Sequence, residues 1–208
     1  MTASVAHPAS AAMLRGAALR RYVEDRILPY VRTPAQYTGG EYNQVTKDHA
    51  RVRIRIALGL PDTYGLGMSS LGLQILYHVW NSQPDICCER VFAPWPDMEA
   101  KMREHGAPLY GLESFTPVRE FDILALSVAY ELNYTNLLTM LDLAGLPLRA
   151  ADRDATHPLV IAGGHAAFSP EPLADFVDAF CLGDGEELAL EVAYKVAELR
   201  EGRLPRDE

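Results

Sequence analysis

The stretch Val52–Asn81, VRIRIALGLPDTYGLGMSSLGLQILYHVWN, decides the fold. Ile54, Ile56, Leu58 and Leu60 alternate with Arg53, Arg55, Ala57 and Gly59, so a strand begins half-exposed and becomes buried as it proceeds. Pro61 has no N–H with which to continue a ladder, and the strand ends there. Asp62, Thr63, Tyr64, Gly65, Leu66 and Gly67 form the connection. From about Met68 the spacing turns helical, with Met68, Leu71, Gly72, Ile75 and Val79 on one face and Gly72 placed to let the helix lie close to a sheet. A strand, a glycine-containing turn and a helix open a doubly wound α/β domain, whose first turn is a usual ligand position.

Downstream the pattern repeats. Ile86–Phe92 reads as a second strand, Phe121–Val128 as a third ending near Ser127, His157–Gly163 as a fourth ending in Gly163-Gly164, and Asp178–Leu182 as a short fifth. Helices are expected from Met98 to His105 with Asp97 as cap and Gly106 as stop, from Asn133 to about Ala144, and from Gly183-Asp184-Gly185 to about Leu199. Five buried runs alternating with helices predict a flavodoxin-like (Rossmann-like) parallel sheet in the order 2-1-3-4-5. Upstream, residues 1–50 form an extension: 1–16, rich in Ala and Ser, are expected to be disordered, 17–31 helical, and the remainder packed on the sheet edge. The α/β domain is placed at 51–199, and 200–208 reads as a charged, truncated linker.

Composition narrows the function. A net charge of −9 and a pI near 5.1 argue against nucleic acid and anionic membrane surfaces as partners. No apolar run approaches the roughly 20 residues that span a bilayer, and no secretory leader is evident, so a cytoplasmic location is expected. Cys87, Cys88 and Cys181 suggest neither a disulfide framework nor a zinc set, and His49 and His78 have no partner at metal-ligand spacing. No nucleophile elbow, phosphate-cradling Gly-Lys-Ser/Thr loop or Gly-x-Gly-x-x-Gly fingerprint occurs at a strand end. The candidate positions are the strand ends: Asp62, Tyr64 and Gly67; Ser127; Gly163 and Gly164; Gly183 and Gly185. Each has an ordinary structural role as well, in turns and helix starts. Spacing alone defines a ligand-binding α/β domain with the ligand open.

The segments EYNQVTKD, LPDTYGLGMSSLGLQILYHVWN, RVFAPWPDMEAKMREHG, LAGLPLRAADRD and LVIAGGHAAFSPEPLADFVDAFCLGDGEE together resemble the amino-terminal part of a family of radical SAM proteins with a cobalamin-binding domain. The resemblance spans about Tyr37 to Leu199. It implies a Rossmann-like domain that presents cobalamin, or a substrate-facing surface, to a radical SAM barrel in cis or trans. S-adenosylmethionine and a [4Fe–4S] cluster would belong to that barrel, because this chain lacks the Cys-x-x-x-Cys-x-x-Cys motif and should be catalytically silent alone. Histidine-on cobalamin domains carry Asp-x-His-x-x-Gly in the first turn, a serine late in the third strand and Gly-Gly after the fourth. The matching positions here are Asp62, Tyr64 and Gly67, then Ser127, then Gly163-Gly164. Tyr64 stands where the histidine would be, so the resemblance implies base-off cobalamin without a protein imidazole on cobalt. The alternative is a degenerate Rossmann-like scaffold that docks a partner and binds no cobalamin.

Overall fold

The structure, a computed structural model, describes residues 11–202. Five strands, β1 (Ile54–Leu60), β2 (Ile86–Phe92), β3 (Ile123–Ser127), β4 (Leu159–Gly163) and β5 (Ala179–Cys181), form one sheet in the order 2-1-3-4-5. Every pairing is parallel, with Ile54 opposite Ile86 and Ile56 opposite Ile123. This is the expected flavodoxin-like α/β fold. The six α-helices among the described residues are α1 (Gly16–Arg26), α2 (Tyr64–Ser69), α3 (Leu71–Ser82), α4 (Pro96–His105), α5 (Asn133–Leu143) and α6 (Gly185–Arg200). The central strands are apolar runs because both sheet faces are covered, and Ile56, Ile123, Leu124 and Val160 are fully buried.

Four local expectations are corrected. The helix expected from Met68 is two helices: Ser70 is extended (φ −75°, ψ 111°) and separates α2 from α3. The break rotates α3, so Leu73, Tyr77 and Trp80 face the core while Leu71 is 73% exposed. Gly72 therefore makes no close approach to the sheet, since a Cβ there would meet nothing within 4 Å. The close approach is at Gly67, where a Cβ would lie 2.0 Å from the Phe92 ring. At α4 the capping position is Trp95, with Pro96 in the first turn; Asp97 instead accepts hydrogen bonds from the Arg32 and Met98 amides. The first helix stops at Arg26 and gives way to a 3-10 turn, Leu28–Tyr30, because Pro29 disfavours the α conformation at the residue before it.

Of the segment expected to be disordered, residues 1–10 lie outside the described residues and the rest is ordered. Ala11–Met13 forms a 3-10 turn, Ala11 is fully buried, and the Gly16 amide donates to the Phe115 carbonyl at 2.9 Å. Arg200 and Glu201, at the start of the expected linker, are bonded to the His157 carbonyl and to Arg53 respectively.

The outer strand is finished jointly by the extension, by α3 and by the segment after α4. β2 is an edge, and an unpaired edge exposes donors and acceptors to wrong partners. Here the Ile86 carbonyl accepts from Lys47 Nζ (2.6 Å), the Cys88 amide and carbonyl bond the Asn81 side chain (3.1 and 2.9 Å), and the Arg90 amide donates to Glu113 (2.8 Å). The Arg90 carbonyl accepts from the Leu112 amide at 2.9 Å. The Arg90 side chain, 0% exposed, bonds Glu113 (2.7 Å) and Asn43 (2.9 Å) and stacks over Tyr77. A charge buried that deeply persists only when paired.

Candidate functional site

Five expected site residues converge on one cavity. It has a volume of about 230 Å³ and lies between the sheet, α3 and α6, beneath the carboxyl ends of β3, β4 and β5. Ser127 ends β3, Gly163 ends β4 and Gly164 follows it; Gly183 and Gly185 bracket the entry to α6. All five line the cavity, with Gly72, Ile75, Leu76 and Trp80 of α3 and Leu188, Ala189 and Val192 of α6 opposite. Glu186 and Cys181 also line it, and burial raises the Cys181 thiol pKa. The indole N–H of Trp80 is satisfied by the Ala189 carbonyl at 2.9 Å, which ties the two helices together across one wall. The apolar face of α3 that the sequence assigned to sheet packing thus borders open space through Gly72 and Ile75.

The glycines play different parts. Gly164 has φ +96°, and a Cβ there would lie 2.7 Å from the Val128 carbonyl oxygen, so it is glycine for the sake of its own turn. Gly72 and Gly183 face open space, and at Gly163 a Cβ would meet only ordinary contacts with Cys181.

Asp62, Tyr64 and Gly67 are not among the residues lining this cavity. Asp62 sits at the switch point between β1 and β3, where it accepts from the Tyr130 hydroxyl, from Asn133 Nδ2 (3.2 Å) and from the Thr63 amide (2.7 Å). Asn133 and Asn136 also hold the Pro61 carbonyl, at 3.0 and 3.1 Å. Tyr64 faces the extension: its hydroxyl donates to Glu41, and its ring meets Phe92 edge-on at 5.7 Å. Burial, followed by the Glu41 bond and charge, pushes the Tyr64 phenol up to about 12. Gly67 is packed beneath the same Phe92 ring.

Sequence reading missed the apolar surface beyond the carboxyl ends of the strands. Leu66 and Leu71 follow β1, Trp95 follows β2, Tyr130 and Leu132 follow β3, Phe168 follows β4 and Leu182 follows β5, and all are exposed. The segment that follows each strand at the carboxyl end of the sheet therefore offers solvent a large apolar side chain. The signal was present as apolar residues inside loops otherwise rich in Gly, Pro and Asp. Exposed apolar side chains gathered at one end of a sheet make that end the candidate for a ligand or partner surface.

The architecture is that of an open α/β domain with its crevice at the carboxyl ends of the strands. The family model described as "Radical SAM proteins, N-terminal" matches residues 72–208, and the chain belongs to that family. The match begins in α3, so β1 and the first turn lie outside it. No curated protein and no solved structure shows a significant match. No helix among the described residues is long and apolar enough to cross a membrane.

Proposed function

We propose that this radical SAM amino-terminal domain binds cobalamin and presents it, across the carboxyl rim of the sheet, to a radical SAM domain in cis or trans. The observation that carries the reading is the cavity. It is an apolar slot of about 230 Å³ in which Ser127, Gly163 and Gly183 come together under the strand ends, with Gly72 and Ile75 of α3 on its wall. A flat heterocycle suits such a slot, because apolar walls and glycine backbone allow approach along both faces. The Ser127 hydroxyl would bond the nucleotide tail, and Gly163 and Gly164 would carry it past the sheet. Cobalamin would supply methyl-transfer or radical chemistry; this chain's own part is to bind, orient and shield it. The cobalamin expected here is base-off without a protein imidazole, because Tyr64 stands at the ligand position. The cluster and S-adenosylmethionine would reside in the radical SAM domain.

A second reading has its own observation. Asp62 and Tyr64, which would line the lower side of the cobalt, are engaged internally by Tyr130, Asn133 and Glu41. In that reading the domain is a scaffold, and the apolar rim docks the radical SAM domain without cobalamin.

Gly72→Phe separates the two. It should leave the fold intact, because a Cβ at Gly72 meets nothing within 4 Å and phenylalanine is no worse a helix former than glycine. A ring at this position would occupy the slot. Absorption titration with hydroxocobalamin should show saturable binding to the wild-type chain, weakened at least about tenfold, or roughly 1.4 kcal/mol, in Gly72→Phe. Absence of binding to folded wild-type protein at saturating cobalamin supports the scaffold.

A further inference from the structure

A second cluster lies apart from the cavity, where the extension crosses β2. Cys87 and Glu89 are two residues apart on β2, so both side chains project from the same sheet face. His49 lies over them from the extension. Its Nε2 is 2.7 Å from Glu89 Oε1, and a ligand atom from each of the three residues lies within 4.8 Å of the others. Cys87 and Glu89 are buried, whereas the His49 side chain is 20% exposed, so the cluster has one open side. Glu89 Oε2 is fixed by the Ser114 hydroxyl (2.8 Å) and amide (3.2 Å), and the His49 ring rests edge-on against Phe121.

We propose that His49, Cys87 and Glu89 form a divalent-cation site of the zinc class that pins the extension to the outer strand. Imidazole nitrogen, thiolate sulfur and carboxylate oxygen are the three donor types that zinc takes. Bonds of about 2.0–2.3 Å in a tetrahedron set donors roughly 3.3–3.8 Å apart, so His49 and Glu89 need only part slightly from their present hydrogen bond. The solvent side of His49 leaves the fourth position to water. The donors stand on a rigid base, because β2 is paired with β1 on one side and clamped by Lys47, Asn81 and Glu113 on the other. Charge also balances: a thiolate and a carboxylate neutralise a doubly charged ion. Without an ion, burial and the neighbouring Glu89 charge hold the Cys87 thiol up at about 12, against the opposing pull of Lys47. Binding breaks the Cys87 S–H bond, forms a metal–sulfur bond and releases that proton to solvent; no electrons are transferred. The ion would close the chain between residues 49 and 87.

The test is a titration of the full chain, stripped with chelator and kept reduced, with cobalt(II) and then zinc. One equivalent of cobalt should give a thiolate-to-metal charge-transfer band with the visible bands of a four-coordinate ion. Zinc should displace it, release protons and raise the melting temperature. Cys87→Ala should abolish the charge-transfer band. His49→Gln should lower affinity by at least the roughly 10–100-fold that follows loss of even an outer-shell partner. A folded wild-type chain without the band, or a band that persists in Cys87→Ala, overturns the site. Should Cys87→Ala not fold, His49→Gln decides the matter, because unchanged affinity there also overturns it.

Discussion

The two ends of the parallel sheet are built from opposite materials. At the amino end an aspartate stands directly before β2, β3 and β5, and each faces an arginine: Asp85 with Arg53 (3.7 Å), Asp122 with Arg55 (2.9 Å) and Asp178 with Arg153 (3.2 Å). The aspartates also bind backbone, since the Arg55 amide donates to Asp122 (2.8 Å) and the Val160 amide to Asp178 (2.7 Å). At the carboxyl end the segments after the strands carry glycines, a cavity and exposed apolar side chains, and Asp62 and Tyr64 each take part in a phenol–carboxylate bond rather than an arginine pair. The first end uses its side chains to fix strand register. The second leaves apolar surface in water, which costs stability unless something covers it. Charge pairing and exposed apolar surface are thus divided along the strands, and the second lies at the end where open α/β sheets place their crevices.

The largest effect should come from the amino end. Asp122→Ala removes a carboxylate that receives the Arg55 guanidinium through two bonds and its amide through a third. Complete loss of a buried partner costs about 3–5 kcal/mol, and because Arg55 is one-third exposed the expected cost is nearer 2–3 kcal/mol. Urea denaturation should show the midpoint falling with an unchanged slope. A change below about 0.5 kcal/mol would mean that register is fixed elsewhere.

A smaller effect is expected at the carboxyl end, at Tyr64. Tyr64→Phe deletes the hydroxyl that bonds Glu41 but keeps the ring on Phe92, so about 0.5–1.5 kcal/mol should be lost. The phenol also gives a pH signature. Its folded pKa of about 12 lies above the ordinary 10.0, so its contribution is full below pH 10 and fades as pH rises towards 12. Ultraviolet titration of phenolate in the wild type and in Tyr64→Phe should show one late-titrating tyrosine missing from the variant. If the two curves coincide, Tyr64 is not held by Glu41 in solution.

The contrast between the ends was only partly visible in the chain. Strand order followed from five apolar runs, and Ile86–Phe92 matches its expected bounds residue for residue, because buried strands are written as continuous local patterns. The amino-end motif was also local: PDICC, FDILA and VDAFC each place an aspartate before a strand. It passed unnoticed because its arginines lie far away in sequence. Glu89 and Arg90, two charges inside an apolar strand, likewise demanded partners, but Glu113 and His49 are 23 and 40 residues off and only folding identifies them. The site divided similarly. Ser127 and the glycines at residues 163, 164, 183 and 185 share a cavity because strand ends must converge in this topology. Asp62 and Tyr64 turned elsewhere because their side-chain directions depend on contacts, with Tyr130 and Glu41, that spacing does not encode, and Gly67 lies against Phe92 in the helix that begins at Tyr64.

The smallest stability effect should be at the rim itself, and its smallness is the point. Leu132 and Phe168 are 79% and 66% exposed, follow β3 and β4, and hold little of the core. Replacing both with glutamate, Leu132→Glu and Phe168→Glu, removes exposed apolar area and adds charge to solvent, so the unfolding free energy should move by no more than about 0.5 kcal/mol. Had these residues been ordinary surface, nothing further would change. As part of a contact surface they should matter to association, because apolar residues at the centre of an interface carry most of its affinity and a buried, unpaired carboxylate opposes it. The double variant should therefore melt like the wild type yet lose at least about tenfold in affinity for the radical SAM domain, measured by calorimetry with that domain supplied in trans. Equal affinity would move the docking face off the rim. A large loss of stability would show instead that these side chains are packed in solution, and the contrast between the two ends would fail at its upper end.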